Sequence, residues 1–327
     1  MNTSLVLDNF TFNPDTAEVS LTGKNNAYKD AFVDTLNEEL RGKKVEVKTD
    51  EISGITSILA NNKVIVEVKD NDIISIHLRN TKKIGNNFLI YNNSVEKVIL
   101  DKVEETGDAF LSNNEVLNVF EAPKLKKVER SFLKFNLCLE SISLPSIEII
   151  ENDFMYANVI LSDFSAPKLK SVGDRFFENN KGIKKLVLNK ITHFGDNCFY
   201  KNEIMNTFEA INLLKIGNDC FHFNKEIESL SFKRVRNIGN NFFYSNPKIN
   251  YIEIPNCEKI GNSFCCQTNA LPEISLNKAE QVGFNFLNND KNIKILNAPK
   301  WKTSLIRGQA NRNLIMAYHN AQTQKSK

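Results

Sequence analysis

Cysteine and histidine are the side chains best suited to metal binding, redox work or nucleophilic catalysis, but their spacing here matches no such site. The six cysteines contain no Cys-x-x-Cys pair, and the four histidines show no His-Glu-x-x-His spacing. The adjacent pair Cys265 and Cys266 suggests a redox role, yet Cys265 falls in an apolar position of the repeat described below, which favours packing. We therefore expect free, mostly buried thiols, and no metal site and no cofactor.

Glycine-containing motifs also point away from catalysis. The sequence has no nucleophile elbow, phosphate-binding loop or dinucleotide fingerprint. The segment Gly-Asn-Asn-Phe occurs more than once, at a fixed interval, so its glycines indicate a structural turn rather than a phosphate site. The sequence predicts a protein that is not an enzyme.

A period of 22 residues runs through the chain from about residue 71 to residue 301. Its most regular position is aromatic, with cysteine in two turns: Phe88, Phe110, Phe132, Phe154, Phe176, Cys198, Cys220, Phe242, Phe264 and Phe286. Further apolar positions follow in phase with the spacing Leu-x-x-Leu-x-Leu, which is typical of a short strand with one buried face. The Gly-Asn/Asp-x-Phe-Phe segment suits one turn of helix or 3₁₀ helix, whose Asn or Asp caps exposed amides.

A polar column keeps the same phase. It comprises Asn92, Asn114, Asn136, Asn158, Asn180, Asn202, Asn224 and Asn246, followed by Thr268 and Asp290. Asparagine tolerates left-handed backbone and offers both a donor and an acceptor, so a stacked column can pair the peptide groups that a bend leaves open. We predict a buried asparagine ladder, and hence repeats that are stable only when stacked.

These segments resemble the BspA-like leucine-rich repeats. The stretches Ile227-Glu-Ser-Leu-Ser-Phe and Asn237-Ile-Gly-Asn-Asn-Phe-Phe-Tyr-Ser-Asn246 match the strand and loop pattern of that family, and the likeness covers about residues 71–301. The resemblance implies a right-handed arc with a parallel sheet on its concave face. It also implies an adhesive or host-interacting role, because the better-known members look like surface adhesins.

The ends of the chain lie outside the repeat register. Residues 1–70 look like a small α+β cap, with a hairpin between about residues 5 and 21, a helix over about 26–41, strand residues Val45 and Val47, and a hairpin around Asn61-Asn62. Residues 302–327 predict a capping helix over Leu305–Tyr318 and then a frayed, basic polar tail. The expected fold is an α/β solenoid with an N-terminal cap (1–70), ten repeats (71–301) and a C-terminal cap (302–327).

Composition and charge limit the partners. The chain is 41% hydrophobic and 25% charged, and no apolar run has the roughly 18 residues of a membrane span. The first residues do not read as a secretory signal, so we expect a cytoplasmic protein unless export uses a signal-independent route. The net charge is +3, and the basic enrichment after Lys300 is too mild to favour nucleic acid as a partner.

The exposed side of the strands is the candidate functional surface. Side chains between the buried positions vary in charge and size from turn to turn, as a protein-recognition surface requires. The candidate residues for partner binding are Glu121, Asp163, Lys185, Glu209, Tyr251, Glu253 and Glu273. We expect a non-enzymatic protein-binding module, with Tyr251 and Glu253 as its anchor. A solvated face without a partner remains open, as does an array that only carries an oligomerisation or targeting unit in residues 1–70. The oligomeric state is also open.

Overall fold

The computed structural model describes residues 5–7, 10–21, 30–268, 270–301 and 312–325. They fall into two compact units, Met1–Asn158 and Val159–Lys327. Unit 1 contains β1 (Leu5–Leu7), β2 (Phe10–Asn13), β3 (Glu18–Leu21), α1 (Asp30–Leu40), β4 (Val45–Thr49), β5 (Thr56–Ala60), β6 (Lys63–Lys69), β7 (Asp72–Leu78), β8 (Lys83–Ile84), β9 (Lys97–Leu100), β10 (Glu105–Thr106), β11 (Val119–Glu121), β12 (Lys127–Val128), β13 (Ser141–Ser143) and β14 (Ile149–Ile150).

Unit 2 repeats the same alternation of a longer and a shorter strand. It contains β15 (Asp163–Ser165), β16 (Ser171–Val172), β17 (Lys185–Val187), β18 (Thr207–Glu209), β19 (Lys215–Ile216), β20 (Ser229–Ser231), β21 (Asn237–Ile238), β22 (Tyr251–Glu253), β23 (Lys259–Ile260), β24 (Glu273–Ser275), β25 (Gln281–Val282), β26 (Ile295–Asn297) and α2 (Arg312–Lys325). Each unit is therefore built from β-solenoid turns.

Strands at equivalent positions pair in parallel, one turn above the other. In unit 1, β9 pairs with β11 so that Lys97 lies opposite Val119, a separation of one 22-residue period. The short strands β8, β10, β12 and β14 form a second parallel ladder. In unit 2, the short strands β19, β21, β23 and β25 form a continuous ladder, whereas the longer strands pair two by two, as β17–β18, β20–β22 and β24–β26.

The expected helical turn after each glycine is wrong. That segment is a run of turns in which every second residue is left-handed, as at Asn241, Phe243 and Ser245 with φ of 52°, 60° and 56°. A helix would pair its amides internally, but these amides pair between turns: Phe243 N donates to Cys220 O (3.2 Å) and Ser245 N donates to Cys266 O (2.9 Å). The described part of the repeats therefore contains no helix, and the α/β class is corrected to a β-solenoid.

The apolar columns form the core as predicted. In unit 1 the rings of Phe88, Phe110 and Phe132 stack at 5.2 and 5.4 Å between centroids and within 10° of parallel. Where Cys198 and Cys220 replace the aromatic ring, the next residue of each turn, Phe199 or Phe221, is fully buried, and these two rings stack at 4.9 Å. The neighbouring column thus supplies the volume that the cysteines lack.

The asparagine column is buried from Asn114 onward and acts as a ladder, as predicted, whereas Asn92 in the first turn is half-buried. Asn136 is 0% exposed, and its Nδ2 donates to Leu111 O in the preceding turn (2.9 Å) and to Lys134 O (3.3 Å). The same bond to the preceding turn recurs in unit 2, where Asn224 Nδ2 donates to Phe199 O (2.7 Å). The ladder therefore joins side-chain amides to the carbonyls of the left-handed bends.

The polar residue after each glycine forms a second ladder. Asn218 Oδ1 accepts from Asn240 N, and Asn240 Oδ1 accepts from Asn262 N, both at 2.8 Å. These side chains bind amides of the following turn, whereas the prediction was that they cap a helical turn of their own repeat. The adjacent glycines permit the close stacking, because a Cβ on Gly239 would lie 2.5 Å from Gly217 O.

Helix α1 covers the first turn of unit 1. Phe32 contacts Phe88 at 5.8 Å between ring centroids, at the start of the aromatic stack. The buried Glu39 carboxylate accepts hydrogen bonds from the Thr81 amide (2.9 Å) and hydroxyl (2.8 Å), from the Asn80 amide (2.9 Å), and from Lys43 Nζ (2.7 Å). These contacts tie the N-terminal segment to the loop that opens the repeats.

In the largest sheet of unit 1, strand pairing changes from antiparallel to parallel at β7. Strands β4, β5, β6 and β7 are antiparallel, with the predicted hairpin at Asn61 and Asn62 in left-handed conformations of 49° and 63°. β7 then pairs in parallel with β9. The predicted first hairpin is a three-stranded antiparallel sheet, β1–β2–β3.

Helix α2 packs near the last turn of unit 2. Trp301 is buried against Phe286 at 5.3 Å between ring centroids, and Leu314, Ala317 and Ala321 are buried on α2. The predicted helix over Leu305–Tyr318 is partly wrong: its first residues lie outside the described part, and α2 continues to Lys325 through the segment expected to be a frayed tail. The buried alanines explain the extension, because they continue the apolar side of the helix.

Candidate functional site

The exposed side chains of β15, β17, β18, β20, β22, β24 and β26 form one surface of unit 2, here called the strand face. It carries six of the seven predicted partner-binding residues: Asp163, Lys185, Glu209, Tyr251, Glu253 and Glu273. Five are exposed and Glu253 is half-buried, while the residues between them, such as Ile252 and Ile274, are buried. The alternation follows from the two-residue period of a strand.

The seventh predicted residue, Glu121, lies in unit 1. It is exposed at the end of β11, opposite Ile99 of β9. Its side chain is exposed, as predicted, but Glu121 belongs to a different unit from the other six residues. We therefore build the site from unit 2 alone.

Tyr251 and Glu253 differ in how available they are. Tyr251 is 49% exposed and lies opposite Ser229, whose small side chain leaves the ring open to contact. Glu253 accepts a hydrogen bond from the Ser231 hydroxyl and forms an ion pair with Lys233 Nζ at 3.7 Å. Tyr251 is thus the available anchor, and Glu253 is already engaged with the adjacent strand.

Two clefts open on the strand face where neighbouring strands run side by side without a ladder. The first, between β15 and β17, has a volume of about 520 Å³ and is lined by Asp163, Lys184, Lys185 and Lys190 among others. The second, between β18 and β20, has a volume of about 470 Å³ and is lined by Glu209, Ile211, Lys233 and serines. The sequence analysis missed Lys184, Lys190 and Ile211, because they precede or follow the alternating strand positions.

An aromatic column lies in the left-handed bends, away from the strands. In unit 2 His222 contacts Tyr200 at 5.1 Å and Tyr244 at 4.7 Å between ring centroids, and in unit 1 Tyr156 contacts Phe135 at 5.3 Å. Burial lowers the pKa of His222, and the Asp219 carboxylate opposes that shift. These rings pack between neighbouring turns, so this column contributes to stacking.

The thiols have the character of core side chains. All six cysteines are free, and five are buried, with Cys138 exposed. Burial raises the pKa of Cys257 to about 12, and burial beside Cys198 raises that of Cys220. Cys265, of the vicinal pair, is 0% exposed, and burial raises its pKa as well. Thiolate chemistry is disfavoured at these positions because the nucleophile is the ionised form.

The described residues present neither a metal-binding cluster nor a membrane-spanning helix. No group of three or more His, Cys, Asp or Glu side chains within residues 5–7, 10–21, 30–268, 270–301 and 312–325 is arranged to hold a metal ion. No helix in this same part of the chain is long and apolar enough to cross a membrane.

Stacked turns of 22 residues, with apolar columns inside and longer strands that pair in parallel, define a leucine-rich-repeat β-solenoid. The model of the BspA type leucine-rich repeat region matches residues 69–160, 147–272 and 195–313. These matches cover most of the chain, and the protein belongs to this family. The resemblance inferred from the sequence is confirmed.

Solved structures give two further comparisons. A leucine-rich cell surface protein from Faecalibacterium prausnitzii A2-165 is 15% identical, with a TM-score of 0.35 and coverage of 77% of this chain and 88% of that chain. A leucine-rich repeat protein from Bacteroides ovatus ATCC 8483 is 13% identical, with a TM-score of 0.32 and coverage of 77% and 92%. A comparison with curated protein sequences gives no match.

Proposed function

We propose that this chain is a non-enzymatic protein-binding module that uses the strand face of unit 2. The observation that carries the proposal is the contrast between two sets of residues on the same strands. Buried positions such as Leu230, Ile252 and Ile274 are uniformly apolar, whereas exposed positions carry Asp163, Lys185 and other unlike residues. A rigid backbone with a variable surface suits recognition of a protein, whose interface is built from many modest contacts around a few anchors.

Tyr251 is the proposed central anchor. It is a large, half-exposed aromatic residue between the small residue Ser229 and the acidic Glu273 on the neighbouring strands. Aromatic residues with an apolar body and a polar tip are enriched among interface residues that dominate binding. The proposal also includes an adhesive or host-interacting role, a concave curvature, and the domain boundaries 1–70, 71–301 and 302–327.

The contacts of α1 support a capping role for residues 1–70 rather than an independent oligomerisation or targeting unit. Phe32 and Glu39 contact the first turn directly, so removal of this segment would expose Phe88 and leave the amides of Asn80 and Thr81 unpaired. Deletion of the segment is therefore a poor test of function. Point substitutions on the strand face separate binding from folding.

The test uses peptide ligands selected by display against the full chain. The double substitution Tyr251→Ala with Glu253→Lys should weaken their binding by about tenfold or more, the scale of one lost aromatic anchor beside a reversed charge. The matched control is Tyr91→Ala with Glu115→Lys, which makes the same chemical changes at a 63% exposed tyrosine and an exposed glutamate of unit 1. Equal effects of the two double substitutions, or a larger effect of the control, would contradict the assignment.

A further inference from the structure

The cleft between β15 and β17, here called the lysine cleft, has unbalanced charge. Lys184, Lys185 and Lys190 line it, and Asp163 is the single carboxylate among its lining residues. All three lysines are exposed, and within the described part of the chain none of them forms an ion pair of 4.0 Å or less. The cleft therefore presents three ammonium groups with little internal compensation.

Some lysines elsewhere on the solenoid are paired with a glutamate across turns. Lys225 contacts Glu203 at 2.8 Å, and Lys126 contacts Glu104 at 2.7 Å, each one 22-residue period away. One period before and after Lys184 stand Ser162 and Asn206, and around Lys190 stand Lys168 and Asn212. The positions one period from Lys184 and Lys190 are thus not acidic, whereas Lys185 has Asp163 one period before it, so the cleft has one carboxylate for three lysines.

The surroundings of the lysine cleft are mixed rather than uniformly basic. Val187 on its wall is 41% exposed, and Pro167 adds further apolar surface. Glu209 lines the second cleft of the strand face, with Ile211 beside it at 60% exposure. A ligand with negative charge along its whole length would meet Asp163 and Glu209, whereas a segment that alternates acidic and apolar residues would not.

The spacing of the two clefts fits an extended peptide. They are separated by two strand positions, about 10 Å at the usual distance between neighbouring strands. Three residues of a peptide in the extended polyproline II conformation cover about 9 Å at about 3.1 Å per residue, and its three residues per turn place the side chains of residues i and i+3 on the same side. A carboxylate in the lysine cleft would therefore place the side chain three positions along the peptide over Ile211 and the second cleft.

We propose that the lysine cleft binds an acidic side chain of an extended peptide segment in a protein partner, with an apolar residue of that segment about three positions away on Ile211. This inference rests on the proposed function and specifies the partner's chemistry. The charges of Lys184, Lys185 and Lys190 attract the carboxylate, and Val187 and Ile211 contact the apolar residue. Asp163 and Glu209 select against a continuous polyanion.

The test is fluorescence anisotropy with the full chain and a labelled peptide carrying glutamate and leucine three positions apart. At low ionic strength the unmodified protein should bind it, and Lys184→Glu with Lys185→Glu should weaken binding by about tenfold or more. The matched control, Lys63→Glu with Lys69→Glu, makes the same change of net charge at two exposed lysines of β6 and should alter binding less than about twofold. A peptide with glutamine in place of glutamate should bind at least about tenfold more weakly.

Three results would overturn the proposal: equal losses in the two double variants, equal binding of the glutamine peptide, or tighter binding of a single-stranded oligonucleotide of equal charge. Lys184→Gln with Lys185→Gln gives the same test if charge reversal prevents folding. If ligands selected by display still depend on Tyr251 while the glutamate peptide does not bind, the proposed role of the lysine cleft is refuted and the proposed function of the strand face is retained. If neither the display-selected ligands nor the glutamate peptide depends on the strand face, both proposals are refuted.

Discussion

Replacement of Asn136 tests whether the asparagine ladder holds the stack together. Asn136→Ala removes the bonds from Nδ2 to Leu111 O and Lys134 O at a site that is 0% exposed. A buried carbonyl left without a donor costs about 1–3 kcal/mol, so the free energy of unfolding should fall by that amount. Glu121→Ala, at an exposed position of the same unit, should change it by less than about 0.5 kcal/mol.

Asn136→Asp separates the hydrogen bond from simple loss of volume. The aspartate has nearly the shape of asparagine, but its ionised oxygen would face the two carbonyl oxygens that the amide now contacts. Its cost should exceed that of Asn136→Ala at pH 7 and should fall as the pH is lowered, because the protonated carboxyl can donate one bond. Urea unfolding followed by far-ultraviolet circular dichroism at pH 4.5 and pH 7 measures both effects. A negligible effect of Asn136→Ala, or a cost of Asn136→Asp that does not depend on pH, would refute the ladder.

Three further predictions concern stacking, capping and the thiols. Gly239→Ala should destabilise the protein by about 1–3 kcal/mol in urea unfolding, because its Cβ would lie 2.5 Å from a backbone oxygen. The control Gly85→Ala, whose Cβ would lie 3.5 Å from the Ala31 Cβ, should be nearly neutral. Equal effects of the two substitutions would contradict the close stacking of turns. The pKa of Glu39 is about 2, below the 4.5 of a free glutamate, since hydrogen bonds outweigh the effect of burial. The carboxylate therefore contributes on the order of 3 kcal/mol to the free energy of unfolding, which is fully present above pH 4.5 and is lost as the pH falls toward 2. In Glu39→Gln the free energy of unfolding should fall less between pH 7 and pH 2.5 than it does in the unmodified protein. The same fall in both proteins would contradict the capping role of Glu39. Alkylation of the native protein, followed by mass spectrometry, should modify the exposed Cys138 well before the buried Cys257; equal rates would contradict the buried thiols.

The periodic core was predictable from the sequence. A 22-residue step places like residues above one another, so the burial of Val98, Phe120 and Ile142 follows from the pattern. The short-strand sheet was not predictable, since two-residue strands such as Lys215–Ile216 are too short to show alternation. The left-handed bends gave only a partial signal: Asn197 and Asn241 occupy left-handed positions, as expected for asparagine, but so do Phe243 and Arg175.

The candidate site was predictable only in part. Strand alternation predicted that Tyr251 and Asp163 would be exposed, and they are. The clefts lie where neighbouring longer strands do not form a ladder. In unit 2 these strands pair two by two, so the pairing repeats every two turns, whereas the sequence pattern repeats every turn. Lys184 and Lys190 of the first cleft therefore became visible only from the backbone pairing, whereas Lys185 was predicted from strand alternation.

Photo-crosslinking tests the central claim most directly. A benzophenone amino acid placed at Ser229, which is exposed on the strand face opposite Tyr251, should crosslink to a display-selected ligand of the full chain. The same amino acid at Lys215, which is exposed on the short-strand sheet of the same unit, should give little or no crosslink. Efficient crosslinking from Lys215 and none from Ser229 would place the recognition surface on the short-strand sheet and contradict the account.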